Sequence, residues 1–299
     1  SKLARQHVTV SLSGDGGDEL FGGYTRYFLG QSIWQKIGWA PTGVRRLGSK
    51  VLTSVSTGTW DRLLRRTEFL MPRASGLEIT GDRTHKLAEI LRVTGPEQLY
   101  RSLVSHWKDP QSVVIGGQEP LTALTDNNRW ANLPHFTQWM MYMDLVTYLP
   151  DDILVKVDRA SMGVSLEARV PLLDHRVVEF AWRVPLSMKI RNGGSKWLLR
   201  QVLYNYVPRE LIERPKMGFG VPIDSWLRGS LKDWAEALLA EDRLKREGYF
   251  NPQPIRQKWS EHLSGTRNWQ YHLWDVLMFQ AWLEESKSHR ATVPSSLAV

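Results

Sequence analysis

Along most of this 299-residue chain, hydrophobic and polar positions follow the helical period of about 3.6 residues, with one early exception. The exception is Val8-Thr9-Val10, a β-branched run that is typical of a strand. It leads into the glycine-rich stretch 12–24, after which the apolar residues take up a helical spacing. This order predicts a strand, a glycine-rich turn and the start of a helix.

Apolar residues at every third or fourth position, separated by proline and glycine, predict a succession of helices after the turn. The predicted segments are 22–38 with a break near Gly30, 60–70, 84–91, 96–107, 133–149, 177–182, 196–206, 226–239 and 271–283. Two of these helices have a marked apolar face. The faces comprise Phe136, Trp139, Met140 and Met143 in one helix, and Leu198, Leu199, Val202, Leu203 and Tyr206 in the other. We interpret the aromatic and methionine face as core rather than as a cofactor site.

The amino-acid composition limits the classes of protein to which this chain can belong. A hydrophobic content of 42% is enough for a sizeable core, in one large domain or two. The net charge of +8 favours anionic partners such as nucleotides. The basic residues are scattered and do not alternate with aromatic residues, which argues against specific nucleic-acid binding.

The chain contains no cysteine, so it has no disulfide, thiolate metal site or cysteine nucleophile of its own. No uncharged apolar run approaches the roughly 18 residues of a membrane helix, so we expect a cytoplasmic location and no membrane partner.

The glycine-rich turn carries the first candidate chemistry. Glycines allow backbone amides to approach a ligand at a helix N-terminus, where phosphate or ribose oxygens can bind. Asp15 and Asp18 within the turn only accept hydrogen bonds when ionised, so they suit Mg²⁺ or an ammonium group. The spacing of these acids does not match an EF-hand. The alternative is that the glycines only form a tight turn and the acids cap the next helix.

A second dense segment spans residues 151–175 and sets charged residues among apolar ones. Buried charges must be paired or bound to a ligand. Asp158, Arg159, Glu167 and Arg169 therefore either pair with one another or contact a substrate, and the sequence leaves both alternatives open.

A third segment, 214–222, places Lys216 between Pro215 and Gly218. A lysine in such a loop can meet a phosphate at the moment of reaction. Taken alone, the segment favours the alternative of an exposed lysine in a surface loop.

Together these segments resemble the C-terminal synthetase part of the class II glutamine-dependent asparagine synthetases, which include related polysaccharide-biosynthesis amidotransferases and β-lactam synthetases. Four segments occur in the order of that family and span residues 8–222. They are Ser13-Gly14-Asp15-Gly16-Gly17-Asp18-Glu19 with Phe21-Gly22-Gly23-Tyr24, Asp158-Arg159-Ala160-Ser161-Met162 with the run 166–174, Lys196-Trp197-Leu198-Leu199-Arg200, and Lys216-Met217-Gly218-Phe219-Gly220-Val221-Pro222.

The resemblance implies an α/β fold with predominant helix, of the adenine-nucleotide α-hydrolase-like (ATP-pyrophosphatase) type and present only in its C-terminal part. Residues 1–290 would form that part and residues 291–299 a flexible tail. The implied reaction joins a carboxylate to the α-phosphate of ATP, releases pyrophosphate, and transfers the acyl group to ammonia. Aspartate is the expected acceptor, ammonia would come from an upstream glutaminase domain, and a homodimer would agree with the family.

The resemblance also implies roles for individual residues. Ser13, Gly14 and Gly16 would lie along the nucleotide, with Asp18 as a Mg²⁺ ligand. Lys216 would neutralise the charge that develops on the phosphates. Asp15 stands where many members of the family have glutamate, a residue linked to formation of the intermediate, and its shorter side chain moves that charge by about one methylene. The segment with Asp158, Arg159, Glu167 and Arg169 would position the acceptor.

Two rival functions remain open at this stage. The first is an amidotransferase that acts on a sugar or another carboxylate in surface-polysaccharide or secondary metabolism. The second is a non-catalytic helical binding or scaffold module, for which ATP with Mg²⁺ would not shift the thermal melting of the complete protein.

We expect these 299 residues alone to be inactive. The Ser-Gly-Gly-x-Asp-Ser pyrophosphate loop of the family is not found in them, and neither is a glutaminase domain, so we expect both to lie upstream of Ser1. Pyrophosphate release with ATP, Mg²⁺, aspartate and ammonia measures this, and turnover by the isolated polypeptide would contradict it.

Overall fold

The computed structural model describes residues 1–56, 58–60, 62–63, 81–213 and 220–292. These residues form two compact units, each assembled from three stretches of chain. Unit 1 comprises the described residues of Ser1–Pro41, Val93–Leu103 and Pro120–Met217, and unit 2 those of Thr42–Arg92, Val104–Glu119 and Gly218–Val299. Helices dominate both units. None of the described helices combines the length and apolar character needed to cross a lipid bilayer.

Unit 1 contains a small sheet and most of the shorter helices. Its strands are β1 (Val10–Leu12) and β2 (Glu167–Arg169), and its helices are α1 (Lys2–Arg5), α2 (Gly17–Phe21), α3 (Thr25–Ile37), α6 (Pro96–Val104), α7 (Phe136–Val146), α8 (Val155–Met162), α9 (His175–Arg183), α10 (Leu186–Lys189), α11 (Trp197–Leu203) and α12 (Arg209–Ile212). The predicted order of strand, glycine-rich turn and helix is confirmed by β1 and α2.

The sheet pairs two strands that are far apart in sequence. β1 and β2 run parallel, with Val10 opposite Glu167, Ser11 opposite Ala168 and Leu12 opposite Arg169. Parallel strands cannot be joined by a tight hairpin, and here the connection runs from residue 13 to residue 166 and contains several helices. The pairing therefore depends on tertiary structure and not on a local turn.

The core of unit 1 surrounds α2 and α7. Leu20 and Phe21 of α2 are buried against Ala181 of α9. On α7, Trp139, Met140 and Met143 are buried, which confirms that this face is core.

Helix α3 runs without interruption through Gly30, so the predicted break at this position is wrong. A Cβ atom on Gly30 would lie 3.0 Å from the sulfur of Met140, a tight approach. The glycine therefore serves the close packing of α3 on α7 and does not end the helix.

Other predicted helix boundaries also differ from those in the structure. The helix expected to stop near Leu149-Pro150 ends at Val146, and a separate π-helical turn, Leu149–Leu154, then leads into α8. Of the apolar face expected on 196–206, Leu198 and Leu199 pack into the core, whereas Tyr206 lies beyond the end of α11 and is 80% exposed.

Unit 2 contains an apolar core to which five of its described helices contribute, and two further helices pack on each other. The helices are α4 (Thr42–Ser54), α5 (Gly81–Leu91), α13 (Ile223–Arg228), α14 (Lys232–Leu239), α15 (Glu241–Glu247), α16 (Pro252–Leu263) and α17 (Gln270–Thr292). The predicted helix 226–239 is divided at Gly229, between α13 and α14. Of the predicted tail 291–299, two residues belong to α17 and 293–299 lie outside the described residues.

The buried His262 contacts three other parts of unit 2. His262 is fully buried, its Nδ1 accepts a hydrogen bond from the main-chain N–H of Trp269 at 3.2 Å, and its carbonyl accepts one from Nε of Arg228 at 2.7 Å. Its Nε2 lies 3.6 Å from Oδ1 of Asp224. Burial lowers the pKa of His262, and the Arg228 charge lowers it further. On α17, burial and then the neighbouring Lys258 charge lower the pKa of His272 to about 4.

We expect the free energy of unfolding to decrease as the pH falls from about 6.5, the pKa of an unfolded histidine, towards 4. Both folded-state pKa values are depressed, so the unfolded chain binds more protons in this window and stability is lost on acidification. The slope should reach at most about 1.4 kcal/mol per pH unit for each of these histidines. Urea unfolding at a series of pH values measures it.

His272→Gln should flatten this slope, and His7→Gln, which changes an exposed histidine, should leave it as it is. His106 contributes with the opposite sign, because its hydrogen bond to Asp275 raises its pKa and that contribution is lost as the pH rises. An unchanged slope in His272→Gln would contradict the assignment.

Candidate functional site

The carboxyl ends of the two strands bring the first two sequence segments together. The main-chain N–H of Ser13, directly after β1, donates a hydrogen bond to the carbonyl of Arg169 in β2 at 2.8 Å. The segments that follow the strands therefore leave the sheet at one edge. In α/β proteins this edge is where ligands commonly bind.

Leucines of the second segment pack directly on the glycines of the turn. Gly16 has a φ of +82°, and a Cβ on it would lie 2.4 Å from Cδ2 of Leu173. A Cβ on Gly17 would lie 3.1 Å from Cδ1 of Leu172. Both the left-handed backbone and the lack of space require glycine at position 16. The first two segments thus form one packed structure.

The outer side of the turn remains open. A Cβ on Gly14 would have no atom of the described residues within 4 Å. Beside it, the hydroxyl of half-buried Ser13 donates a short hydrogen bond to the Asp15 carboxylate. Hydroxyl, carboxylate and open space are therefore adjacent on the exposed side of the turn.

Asp18 forms an ion pair with Lys196, from the third matched segment. Oδ2 of Asp18 lies 3.0 Å from Nζ of Lys196, and the two side chains are 26% and 31% exposed. A Cβ on Gly23 would lie 1.9 Å from Oδ1 of Asp18 and 2.3 Å from Cε of Lys196. Only glycine at position 23 leaves room for this ion pair.

Directly behind the turn, a buried carboxyl pairs with a tyrosine. Glu19 is 1% exposed, and the hydroxyl of Tyr24 donates to its Oε1 at 2.7 Å. Burial raises the pKa of Glu19, although the Tyr24 hydrogen bond counters part of that rise. Burial and the Glu19 carboxylate raise the pKa of Tyr24 far above its ordinary range, so the phenol remains protonated and can donate.

The ion pair between Arg26 and Asp144 lies next to the Glu19–Tyr24 hydrogen bond. Nε of Arg26 donates to Oδ2 of fully buried Asp144 at 2.9 Å, and the hydroxyl of Tyr100 donates to Oδ1 at 2.5 Å. The Arg26 guanidinium lies 4.0 Å from the ring centre of Tyr24 and 4.7 Å from that of Tyr148. Burial alone would lower the pKa of Arg26, but the Asp144 carboxylate outweighs it and the pKa is raised.

The four candidate site residues of the second segment, Asp158, Arg159, Glu167 and Arg169, are exposed, not embedded as the sequence suggested. Glu167 and Arg169 stand two residues apart on β2 and pair at 2.6 Å, which lowers the pKa of Glu167 and raises that of Arg169. Asp158 and Arg159 lie on α8. Mutual pairing therefore accounts for the two strand residues, and substrate contact stays a prediction for all four.

Lys216 lies outside the described residues, as do the other residues of the segment 214–219. Its convergence with Asp18 on one bound polyphosphate stays a prediction.

Mg²⁺ is the ion predicted for this turn, and the carboxylates there would be its protein ligands. The described residues contain no group of three or more His, Cys, Asp or Glu side chains that could hold a metal ion. A Mg²⁺ bound with ATP needs only one or two protein carboxylates, because phosphate oxygens and water complete its shell. One carboxylate such as that of Asp18 is compatible with a cation that is shared with a polyphosphate, and Mg²⁺ binding at the turn stays a prediction.

Sequence reasoning assigned no role to Lys196, Arg26 or Asp144. Asp144 stands four residues after Met140 on a buried helical face, and a carboxylate at such a position signals an internal partner. Lys196 carried no comparable signal, because its contact with Asp18 spans many residues and depends on the fold.

Comparison with known proteins gives a family match over most of the chain. The family model described as asparagine synthase matches residues 1–284. Asparagine synthetase (glutamine-hydrolyzing) 1 of Bacillus subtilis (strain 168) is 31% identical over 284 residues, which cover 94% of this chain and 41% of that protein. A putative asparagine synthetase (glutamine-hydrolyzing) of Mycobacterium tuberculosis (strain ATCC 25618 / H37Rv) is 32% identical over 284 residues, 94% of this chain and 40% of that protein.

The human asparagine synthetase (glutamine-hydrolyzing) is 32% identical over 141 residues, 40% of this chain and 24% of that protein. The chain thus spans about two fifths of the length of the bacterial relatives. No solved structure is a significant match to it.

We expect Gly23→Ala to destabilise the protein by about 1 kcal/mol, because the added methyl group overlaps the partly exposed Asp18–Lys196 ion pair and must displace it. Gly14→Ala is the matched control, since its methyl group points into open space and should change stability by less than about 0.5 kcal/mol. Urea unfolding of both variants measures this. Equal stabilities would show that the pair is not fixed as described.

Proposed function

Because this chain belongs to the asparagine synthase family, we propose that it carries the ATP-dependent step of carboxylate amidation, with aspartate as the acceptor and glutamine-derived ammonia as the nitrogen source. The carboxylate oxygen attacks the α-phosphorus of ATP, and the bond to the β-phosphate breaks to release pyrophosphate. Ammonia then attacks the acyl carbon of the aspartyl-adenylate. AMP leaves with the oxygen that the carboxylate contributed, and the product is asparagine.

The observation that carries the proposal is the packing of the second segment on the glycine turn at one edge of the parallel sheet. This edge is the usual ligand position of an α/β sheet, in agreement with a nucleotide on the turn and an acceptor near β2. The ATP-pyrophosphatase type of fold is part of the same proposal.

Five residues of the turn have roles in this proposal. Ser13, Gly14 and Gly16 lie along the nucleotide, where the open side of Gly14 leaves space for it. Asp15 acts in formation of the adenylate, and its charge is oriented by the Ser13 hydroxyl. Asp18 serves as the Mg²⁺ ligand. When bound, Mg²⁺ neutralises charge on the phosphates and orients them for displacement.

Cations complete the proposed site. Lys216 offsets the negative charge that grows on the pyrophosphate as it leaves. Asp158, Arg159, Glu167 and Arg169 face solvent in unit 1, so a charged acceptor can reach them. Arg169 would pair with a carboxylate of the acceptor once Glu167 releases it, since guanidinium and carboxylate match in geometry.

The source of ammonia lies outside these residues in the proposal. The bacterial relatives are named as glutamine-hydrolysing enzymes and are more than twice as long as the matched region. This chain has no cysteine, so a cysteine-dependent glutaminase would have to be contributed by another part of the complete protein.

Aspartate labelled with ¹⁸O in its side-chain carboxylate tests the reaction class in the complete protein. With ATP, Mg²⁺ and ammonia, we expect AMP that carries one ¹⁸O atom, together with pyrophosphate and asparagine, all detected by mass spectrometry. Unlabelled AMP, or ADP with phosphate as products, would rule out the acyl-adenylate. Other carboxylic acids in parallel reactions test the acceptor, and Asp15→Asn should lower the rate by at least about tenfold.

A further inference from the structure

Lys196 holds helix α2 at two points. Its main-chain N–H donates to the carbonyl of Phe21, the last residue of α2, at 3.1 Å, and its side chain pairs with Asp18 in the first turn of that helix. One residue therefore contacts both ends of the short helix that follows the glycine turn.

The backbone of Lys196 is left-handed, with φ +53° and ψ +35°. This conformation is unfavourable for a residue with a side chain, and such residues concentrate where the surrounding structure fixes them for a function. Glycine would adopt it without strain. The lysine side chain thus provides an interaction that glycine could not.

The Lys196 ammonium also stands beside the turn itself. A Cβ on Gly17 would lie 3.7 Å from Nζ. Asp18 and Lys196 both remain about one quarter to one third exposed, so a ligand can approach their ion pair from solvent. The ammonium lies 3.0 Å from Oδ2 of Asp18, close enough to repel a divalent cation bound to the same carboxylate.

Two cations on one carboxylate repel each other, and the repulsion is strongest where solvent screening is partial. We propose that Lys196 is a positioning residue that holds Asp18 in place before the ligand binds, and that Mg²⁺ displaces it from the carboxylate. The inference rests on the proposed function, because it concerns the cation that accompanies ATP. It adds a competing internal cation whose removal strengthens metal binding.

Titration calorimetry of Mg²⁺ into the complete protein, saturated with a non-hydrolysable ATP analogue, tests this competition. Lys196→Met should tighten the Mg²⁺ dissociation constant by about three- to tenfold, because a partly exposed charge pair is lost. Lys196→Arg keeps the cation and should stay within about twofold of the wild type. A purely structural role for Lys196 would weaken Mg²⁺ binding in Lys196→Met or leave it unchanged, and either result overturns the inference.

Lys245→Met is the matched control, because it removes the lysine of an exposed pair with Glu241 in unit 2 and should leave Mg²⁺ binding unchanged. Circular dichroism establishes that each variant is folded. If Lys196→Met does not fold, Lys196→Gln replaces it, since its amide can still bond to Asp18 without charge. Wild-type protein that binds neither the ATP analogue nor Mg²⁺ would contradict the proposed function, whereas equal Mg²⁺ affinities in wild type and variant contradict only the competition.

Discussion

The close packing of Leu172 and Leu173 on Gly17 and Gly16 is the constraint on which the rest of unit 1 depends. A short parallel pair of strands cannot hold two distant segments together by itself, because each strand has only three residues. The packing of these leucine side chains on the glycines adds apolar contact between the two segments and fixes the register of the two strands. The turn, the second segment and α11 then share one small core.

A network of polar side chains behind the turn supports this arrangement. The buried Arg26–Asp144 pair links α3 to α7, and Tyr100 adds α6 through its hydrogen bond. Loss of one partner from such a buried pair costs on the order of 3–5 kcal/mol, because it leaves a charge without compensation. The network therefore gives the exposed turn a rigid base, as a preorganised site requires.

Local patterns in the sequence predicted much of this structure, and contacts between distant residues account for the rest. The strand and turn before α2 and the buried face of α7 followed from β-branched residues, glycine and apolar periodicity. Gly30 was misjudged because its conformational freedom and its small size cannot be told apart before the partner Met140 is known. The Lys196–Asp18 contact was missed for the same reason. Glu167 and Arg169 were expected to be embedded among apolar residues, but the strand that carries them is exposed.

The order in which the chain contributes to the two units has a practical consequence. Each unit takes three separate stretches, and the stretches of one alternate with those of the other from the first residue to the last. No single truncation or protease cut can therefore release either unit as an intact polypeptide. A fragment of residues 1–217 would keep all of unit 1 together with parts of unit 2, so rearranged genes that join the stretches of one unit are the route to studying it in isolation.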